Sequence, residues 1–313
     1  MTPYEEIDAL NWSTLKHLHV SPRMLRWRAD HPRPDTAALL RGRAIHCALF
    51  EPDRWPLAYI AQPAFGDMRR NSTKAERARW LASLANDETV VAQPYFDSRK
   101  KGSKAEKAVW VGSQPPGTTI LVGDEDAARL LPAGVTVLPA DEHALVVRCV
   151  EAIRAHPVAA RMIRGGRVEE VVTWTDPTTG IACKARMDWI SPRGVLDVKS
   201  TRHGTLRQIA ADFAQFLYHG QLAWYHDGAI RAGVIPRDAE LPQTIIVQTT
   251  EPFDVVPAHL GALDLDRGRQ LYRSLLRRYV ECQAAELWPG IAPDLIRLDL
   301  PSWAPSGDEE EGW

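Results

Sequence analysis

No stretch of the 313-residue chain approaches the roughly 20 consecutive apolar residues of a membrane-crossing helix, which argues against a helical membrane span. The first residues, MTPYEEIDALNW, have no basic segment followed by an apolar core. No secretory signal is read there, and the expected compartment is the cytoplasm. Cysteine is scarce, with four residues at 47, 149, 183 and 282 and no C-x₂-C pair. Neither a zinc site nor an iron–sulfur cluster is expected from such spacing. Scattered thiols fit a reducing compartment. An excess of positive charge is missing too: the net charge is −2. Any contact with nucleic acid must therefore come from local patches. No Walker A sequence is present, so helicase chemistry is not indicated. What remains is ordinary for a soluble globular chain, 45% hydrophobic and 25% charged. The length suits one large α/β domain or two small ones.

One stretch organises the rest, KARMDWISPRGVLDVKS at 184–200. Two alternating apolar runs flank a Ser-Pro-Arg-Gly turn, the pattern of two short strands joined tightly. Side chains two apart on a strand share a face. Asp197 and Lys199 therefore point the same way, and the hairpin brings Asp188 beside Asp197. Paired carboxylates offer the hard oxygen ligands that Mg²⁺ or Mn²⁺ prefers. A lysine beside them holds or deprotonates a water, a set suited to phosphodiester hydrolysis. By itself the D-x₈-D-x-K spacing is also compatible with an exposed hairpin, so its neighbours carry weight.

Upstream, Asn11 or Ser13 is placed to cap a short helix, and Ser21-Pro22 to start a second. Residues 36–50, TAALLRGRAIHCALF, read as a helix with Gly42 and His46 one turn apart on one face. A histidine there is either a packed core residue or a metal ligand. Residues 61–112 hold a repeat: AQPAFGDMRRNSTKAERARW is echoed by AQPYFDSRKKGSKAEKAVW. Both copies are basic, with Arg69, Arg70, Lys74, Arg77 and Arg79 in the first and Arg99, Lys100, Lys101, Lys104 and Lys107 in the second. Each reads as a basic loop leading into a short helix, serving either as a solvated insertion or as a phosphate contact. Phe65, Trp80, Phe96 and Trp110 are candidates to anchor the copies.

Residues 123–164 read as helical, starting at Asp124-Glu125-Asp126. Strands follow at 168–175 and 181–190, then the strand through Asp197. A polar loop is expected over 200–212 and a helix over 213–232, with Gln221 and Tyr225 on one face. Residues 241–249 read as a central strand ended by Glu251-Pro252, and 265–285 as a long amphipathic helix. The proline-rich tail is not helical, and its acidic end, 306–313, is expected to be disordered. The order of elements implies an α/β core with a mixed central sheet flanked by helices. A single domain over 1–305, with the basic duplication as an insertion, is the expected organisation.

Five segments in this order resemble the RecE/exonuclease VIII group, in the RecB-like branch of the PD-(D/E)XK nucleases. They are LNWSTLKHLHVSPRMLRWR, RGRAIHCALFEP, VVTWTDPTTGIACKARMDWI with GVLDVKST, YHGQLAWY, and WPGIAPDLIRLDLPSWA. The resemblance implies a restriction-endonuclease-like core and a Mg²⁺- or Mn²⁺-dependent DNA exonuclease. It also implies 5′-to-3′ action on linear duplex DNA, leaving 3′ single strands for phage-type recombination. By position it assigns Asp188 and Asp197 as metal carboxylates and Lys199 as the catalytic lysine. His46 and a backbone carbonyl near Val198 become further metal ligands, and Gln221 and Tyr225 line the site near the lysine. An upstream glutamate belongs to the pattern as well. Glu169 and Glu170 both sit there, and strand parity alone cannot choose between them, Glu169 being the slight preference. Double-stranded DNA ends, a homo-oligomeric ring and a single-strand annealing protein are the implied partners. Two features depart from the group. The duplication exceeds what the group leads one to expect, and the iron–sulfur cysteines of some relatives are missing. An endonuclease, a single-strand nuclease or a non-catalytic DNA-binding module on the same core are the alternatives.

Overall fold

The computed structural model describes residues 3–32, 34–63, 70–84, 90–116, 118–121 and 134–301. Arg69, Phe65, the expected helix start at Asp124-Glu125-Asp126 and the 306–313 tail lie outside the described residues. The chain forms two compact units. One comprises Met1–Asp35, Val158–Ile246 and Val256–Trp313, the other Thr36–Pro157 and Val247–Val255.

The first unit opens with α1 (Trp12–Leu15) and α2 (Pro22–Asp30). Asn11 accepts from the Thr14 N–H and Ser21 from the Met24 N–H, and Pro22 takes the first helical position. Both side chains satisfy an amide that the first turn leaves orphaned. The second unit follows with α3 (Ala37–Phe50), α4 (Trp55–Ala58), β1 (Tyr59–Ala61), α5 (Asn71–Leu84), β2 (Val90–Ala92), α6 (Ser103–Gly112), β3 (Thr119–Leu121), β4 (Thr136–Leu138) and α7 (Ala140–Ala155). In each copy of the repeat a three-residue strand ends on the alanine of Ala-Gln-Pro, and a helix follows. β1 pairs in parallel with β4, and β2 in parallel with β3. Ala78 and Leu81 of α5 are buried with Trp80, Ala92 and Val137 around them. Phe96 and Trp110 meet with ring centroids 6.3 Å apart. Arg70, Lys74, Arg99, Lys100, Lys101 and Lys104 are exposed.

The first unit resumes with α8 (Pro157–Met162) and then carries β5 (Arg167–Thr175), β6 (Ala182–Ser191), β7 (Gly194–Thr201), α9 (Leu206–Gln215), α10 (Tyr218–Arg231), β8 (Gln243–Gln248), β9 (Val255–His259) and α11 (Ala262–Ala284). The strands form one sheet in the order β5-β6-β7-β8-β9, with β5–β6 and β6–β7 antiparallel. Leu10 laces onto β6, donating to the Ala182 carbonyl and accepting from the Lys184 N–H. The core gathers Trp12, Leu15 and Leu18 with Met187 of β6, Trp224 of α10 and Tyr272 of α11. The Trp224 indole donates to the Lys184 carbonyl at 3.1 Å, fixing α10 over the sheet. α11 crosses α10 at Gly268, where a Cβ would fall on the His219 carbonyl. Only glycine allows backbones that close.

Three expectations need correction. Residues 206–215 are a helix, not a polar loop. Thr205 caps it by accepting from the Gln208 N–H, and Leu206, Ile209 and Phe213 give it an apolar stripe at helical spacing. The helix expected over 213–232 is interrupted: Leu217 adopts φ +58°, a left-handed turn that starts α10 at Tyr218. Within the stretch 123–164, which reads as helical, Thr136–Leu138 is instead the strand β4, held by parallel pairing with β1.

Candidate metal-dependent nuclease site

The site lies at the open end of the β6–β7 hairpin. The ladder runs from Ser191–Gly194 to Trp189–Leu196. One step further along that register, Asp188 and Asp197 face each other. There the Val198 N–H donates to Asp188 Oδ2 at 3.0 Å. A side-chain carboxylate thus accepts from a β7 amide, and Asp188 is fixed in place by the neighbouring strand.

Asp197 is 2% exposed. An isolated carboxylate at that depth is costly, and a salt bridge compensates it. Lys199 Nζ lies 2.9 Å from Asp197 Oδ1 and 2.7 Å from Oδ2. It also sits over the Tyr218 ring, 4.8 Å from its centroid. Burial pulls the lysine pKa down, but the charges of Asp197 and Asp188 outweigh it, and the net shift is upward. Lys199 is therefore a firmly held ammonium at neutral pH.

The register also separates the two candidate glutamates. β5 pairs Val168 with Trp189 and Glu170 with Met187, which leaves Glu169 across from Asp188. Glu169 adopts φ +48°, a left-handed conformation uncommon in a strand. A Glu169 carboxylate oxygen and one of Asp188 lie within 4.8 Å of each other. Like charges that close repel unless a cation intervenes. Arg186 partly fills that role, its Nε 3.0 Å from Glu169 Oε2. Glu170 instead pairs with Arg167 at 3.3 Å. Two facing carboxylates with oxygen donors at this separation fit a hard divalent cation.

On α10, Gln221 and Tyr225 are one turn apart, and Gln221 Nε2 donates to the Tyr225 hydroxyl at 2.9 Å. Burial, then the charges of Asp188 and Asp197, push the Tyr225 phenol well above its ordinary pKa. It stays neutral and keeps its proton to donate. His46 is on α3, in the other unit, with its ring 6.3 Å from that of Phe50.

Three neighbours of the site were not singled out from sequence. Tyr218 is visible only as the residue three before Gln221, a helical spacing that the expected longer helix made unremarkable. Arg186 occupies the strand position two before Asp188, the same-face spacing. Tyr4 comes from far away in sequence: its carbonyl accepts from Lys184 Nζ at 2.7 Å, and its ring lies 5.0 Å from the Arg186 guanidinium. No sequence pattern could have announced it.

A sequence-family model described as a PDDEXK-like domain of unknown function (DUF3799) matches residues 135–295, just over half of the chain. The chain belongs to this family. The matched segment of this PDDEXK-like chain contains Glu169, Asp188, Asp197, Lys199, Gln221 and Tyr225; His46 and the repeat lie before it. The fold agrees. A crystal structure described as a putative exonuclease from Eubacterium rectale superposes with a TM-score of 0.52, covering 96% of each chain at 11% identity. None of the curated proteins matches the sequence. The family places the chain in the PD-(D/E)XK nuclease superfamily, whose members generally use divalent metals. Among the described residues, no helix is long and apolar enough to cross a membrane.

Proposed function

We infer that this protein is a Mg²⁺- or Mn²⁺-dependent exodeoxyribonuclease acting on the ends of linear double-stranded DNA. The observation that carries the reading is the facing pair Glu169 and Asp188, set beside an Asp197–Lys199 pair on the next strand. The exonuclease assignment draws on the resemblance to the RecE group. The description of the Eubacterium rectale protein points the same way. Action from 5′ ends, leaving 3′ single strands for recombination, rests on that resemblance alone.

Glu169, Asp188 and Asp197 would hold the metal, with the Val198 carbonyl and His46 completing the shell as the motif resemblance assigns them. When bound, the ion supplies Lewis acidity toward the scissile phosphate and lowers the pKa of a coordinated water. The residues themselves have separable tasks. Asp197 keeps Lys199 charged and pointed at the open end of the hairpin. An ammonium cannot take a proton, so Lys199 orients the water and offsets negative charge building on the phosphate. Tyr225, neutral and braced by Gln221, keeps its proton and donates a hydrogen bond to a phosphate oxygen or to Asp188. Arg69, Arg70, Lys74, Arg99, Lys100, Lys101 and Lys104 of the repeat would track the DNA backbone, where neutralising phosphates releases counterions.

The test incubates linear, end-blocked and circular duplexes of one sequence with Mg²⁺, Mn²⁺ or EDTA. Metal-dependent release of nucleotides from linear DNA alone is expected. Nicking or linearising of the circle would make the enzyme an endonuclease. Indifference to EDTA would remove the metal from the reading.

A further inference from the structure

The first unit holds an apolar groove of about 530 Å³ whose lining includes none of the site's carboxylates. Its walls are Ile209 and Phe213 of α9, Ile246 of β8, Val256 of β9, and Leu260. Thr244, 2% exposed, also lines it, and the Thr244 hydroxyl has no hydrogen-bond partner. A buried hydroxyl without a partner costs about 1–3 kcal/mol. The occupant that suits this floor is apolar in its side chains and brings a backbone polar group.

The same unit carries such a segment. After α11 the chain is anchored where Trp288 packs on Tyr279 and the Pro289 carbonyl accepts from the Arg23 N–H. It then runs on as a strap without helix or strand, bent near its start, in which Ile291, Leu295, Ile296, Leu298 and Leu300 are 59–102% exposed. Five large aliphatic side chains left in water within ten residues is far from the normal scatter of single exposed leucines. Their order has a consequence. In Ile296-Arg297-Leu298-Asp299-Leu300 an extended backbone puts three aliphatics on one face and both charges on the other. The apolar face enters a groove while the charges stay wet.

We propose that the Ile291–Leu300 strap of one chain docks into the α9–β9 groove of a second copy of this chain. Reach favours the second copy over the strap's own groove. The groove borders Gly261, Asp264 and Arg267 at the start of α11, whereas the strap is anchored opposite Tyr279. Asp264 and Tyr279 are about 22 Å apart along the axis at about 1.5 Å per residue. The seven steps from Pro289 to Ile296 span at most about 25 Å fully stretched. The remaining ~3 Å is less than the detour off α2 and around α11, a helix about 10 Å across, would take up. Backbone pairing with β9 is not the mode: Gln248 N–H donates to Asp254 and Leu260 N–H to Pro242. That alternation turns Pro257, which has no N–H, toward the free edge. Side chains in the groove, with a strap carbonyl accepting from Thr244, make the contact.

This inference does not rest on the nuclease reading, and an inactive protein would leave it intact. Two single variants of the full chain test it, Ala258→Cys in the groove and Leu298→Cys in the strap. The four native cysteines are buried. Mixed and mildly oxidised, the two variants are expected to form a disulfide-linked species of twice the chain mass, reversible by reductant. Ala258→Cys mixed with Asp238→Cys should not. No link in the first mixture overturns the proposal. A doubly substituted chain that closes the bond on itself at monomer mass overturns it in favour of the chain's own groove. In parallel, sedimentation should show self-association of the wild type, weakened at least about tenfold by Ile296→Asp with Leu298→Asp. Both positions are exposed in the single chain, so its folding is spared. A wild type that is monomeric at all concentrations, or variants that associate equally well, also sink it.

Discussion

The β5–β7 site and the duplicated segment at 61–112 are both rich in charge, yet they handle it in opposite ways. At the site each charge answers another group within about 3 Å: Asp197 holds Lys199, Arg186 holds Glu169, and Asp188 accepts from Val198. In the repeat, Lys74, Lys101 and Lys104 have no ion-pair partner among the described residues, and Arg99 meets Asp97 at 3.2 Å while remaining 86% exposed. Solvated charges of that kind add little to stability, because water screens them. Breaking a buried pair costs about 3–5 kcal/mol, because the survivor is stranded. The first arrangement fixes protonation states and geometry. The second leaves charge free to meet a polyanion. The proposed function puts chemistry in the first region and sequence-independent affinity in the second.

Removing a site carboxylate should produce the largest effect. Asp188→Asn keeps the shape but not the charge, and cleavage in Mg²⁺ should fall at least about a thousandfold. A thermal melt within about 1 kcal/mol of wild type would confirm that the loss is chemical. Near-normal turnover in this variant would place the chemistry elsewhere.

Lys199→Met comes next, with a loss of about a hundred- to a thousandfold in turnover at saturating DNA. With Lys199 acting as an ammonium, as proposed, the pH–rate profile of the wild type should carry no limb that the variant loses near neutrality. An acidic limb, with turnover rising as pH rises, that vanishes in Lys199→Met would show the lysine acting as a base instead.

The comparison sharpens at a third, structural charge. Asp227 of α10 is buried against Tyr272, whose hydroxyl donates to it at 2.6 Å, and against Arg269 at 3.0 Å. Burial opposes its ionisation, but hydrogen bonds and Arg269 win, taking its pKa down from 3.8 to about 2. The folded form binds this proton less readily than the unfolded chain. The stabilisation is therefore complete above about pH 4 and is lost as pH falls toward about 2, amounting to about 2 kcal/mol. Denaturant melts between pH 5 and pH 2 should show that slope, and Asp227→Asn should flatten it. Equal slopes in both proteins would assign the acid lability to other carboxylates.

The smallest effect on turnover belongs to the repeat. Arg69, Arg70, Lys100 and Lys101 changed together to Ala should leave turnover at saturating DNA and thermal stability near wild type. The log–log salt dependence of DNA binding should become shallower by about 0.9 for each phosphate that the variant no longer neutralises. An unaltered slope would reduce the repeat to a solvated insertion.

Much of the hairpin could be read in the chain because its rules are local. Ser-Pro-Arg-Gly between alternating runs sets the turn, and period two sets which side chains share a face. The helix start at Ser21-Pro22 followed from capping, a matter of three or four residues; of the two caps open for the first helix the structure uses Asn11, and Thr36 caps α3. The stretch after Thr205 was misread because Arg207 and Gln208 mask an apolar stripe whose burial depends on the distant β8 and β9. The break at Leu217 leaves no mark in composition, since leucine ordinarily disfavours φ +58°.

The sequence by itself determined the hairpin and the spacing that places Asp188, Asp197 and Lys199 at its open end. Those depend on dihedral preferences and side-chain alternation within a few residues. Only the tertiary structure decided that Glu169 rather than Glu170 faces Asp188, that Tyr4 and Tyr218 flank the lysines, and that Lys199 stays charged. Register between β5 and β6 is fixed by hydrogen bonds across a turn and by which face the core claims. A buried lysine's protonation is the balance of desolvation against the carboxylates that the fold brings to it.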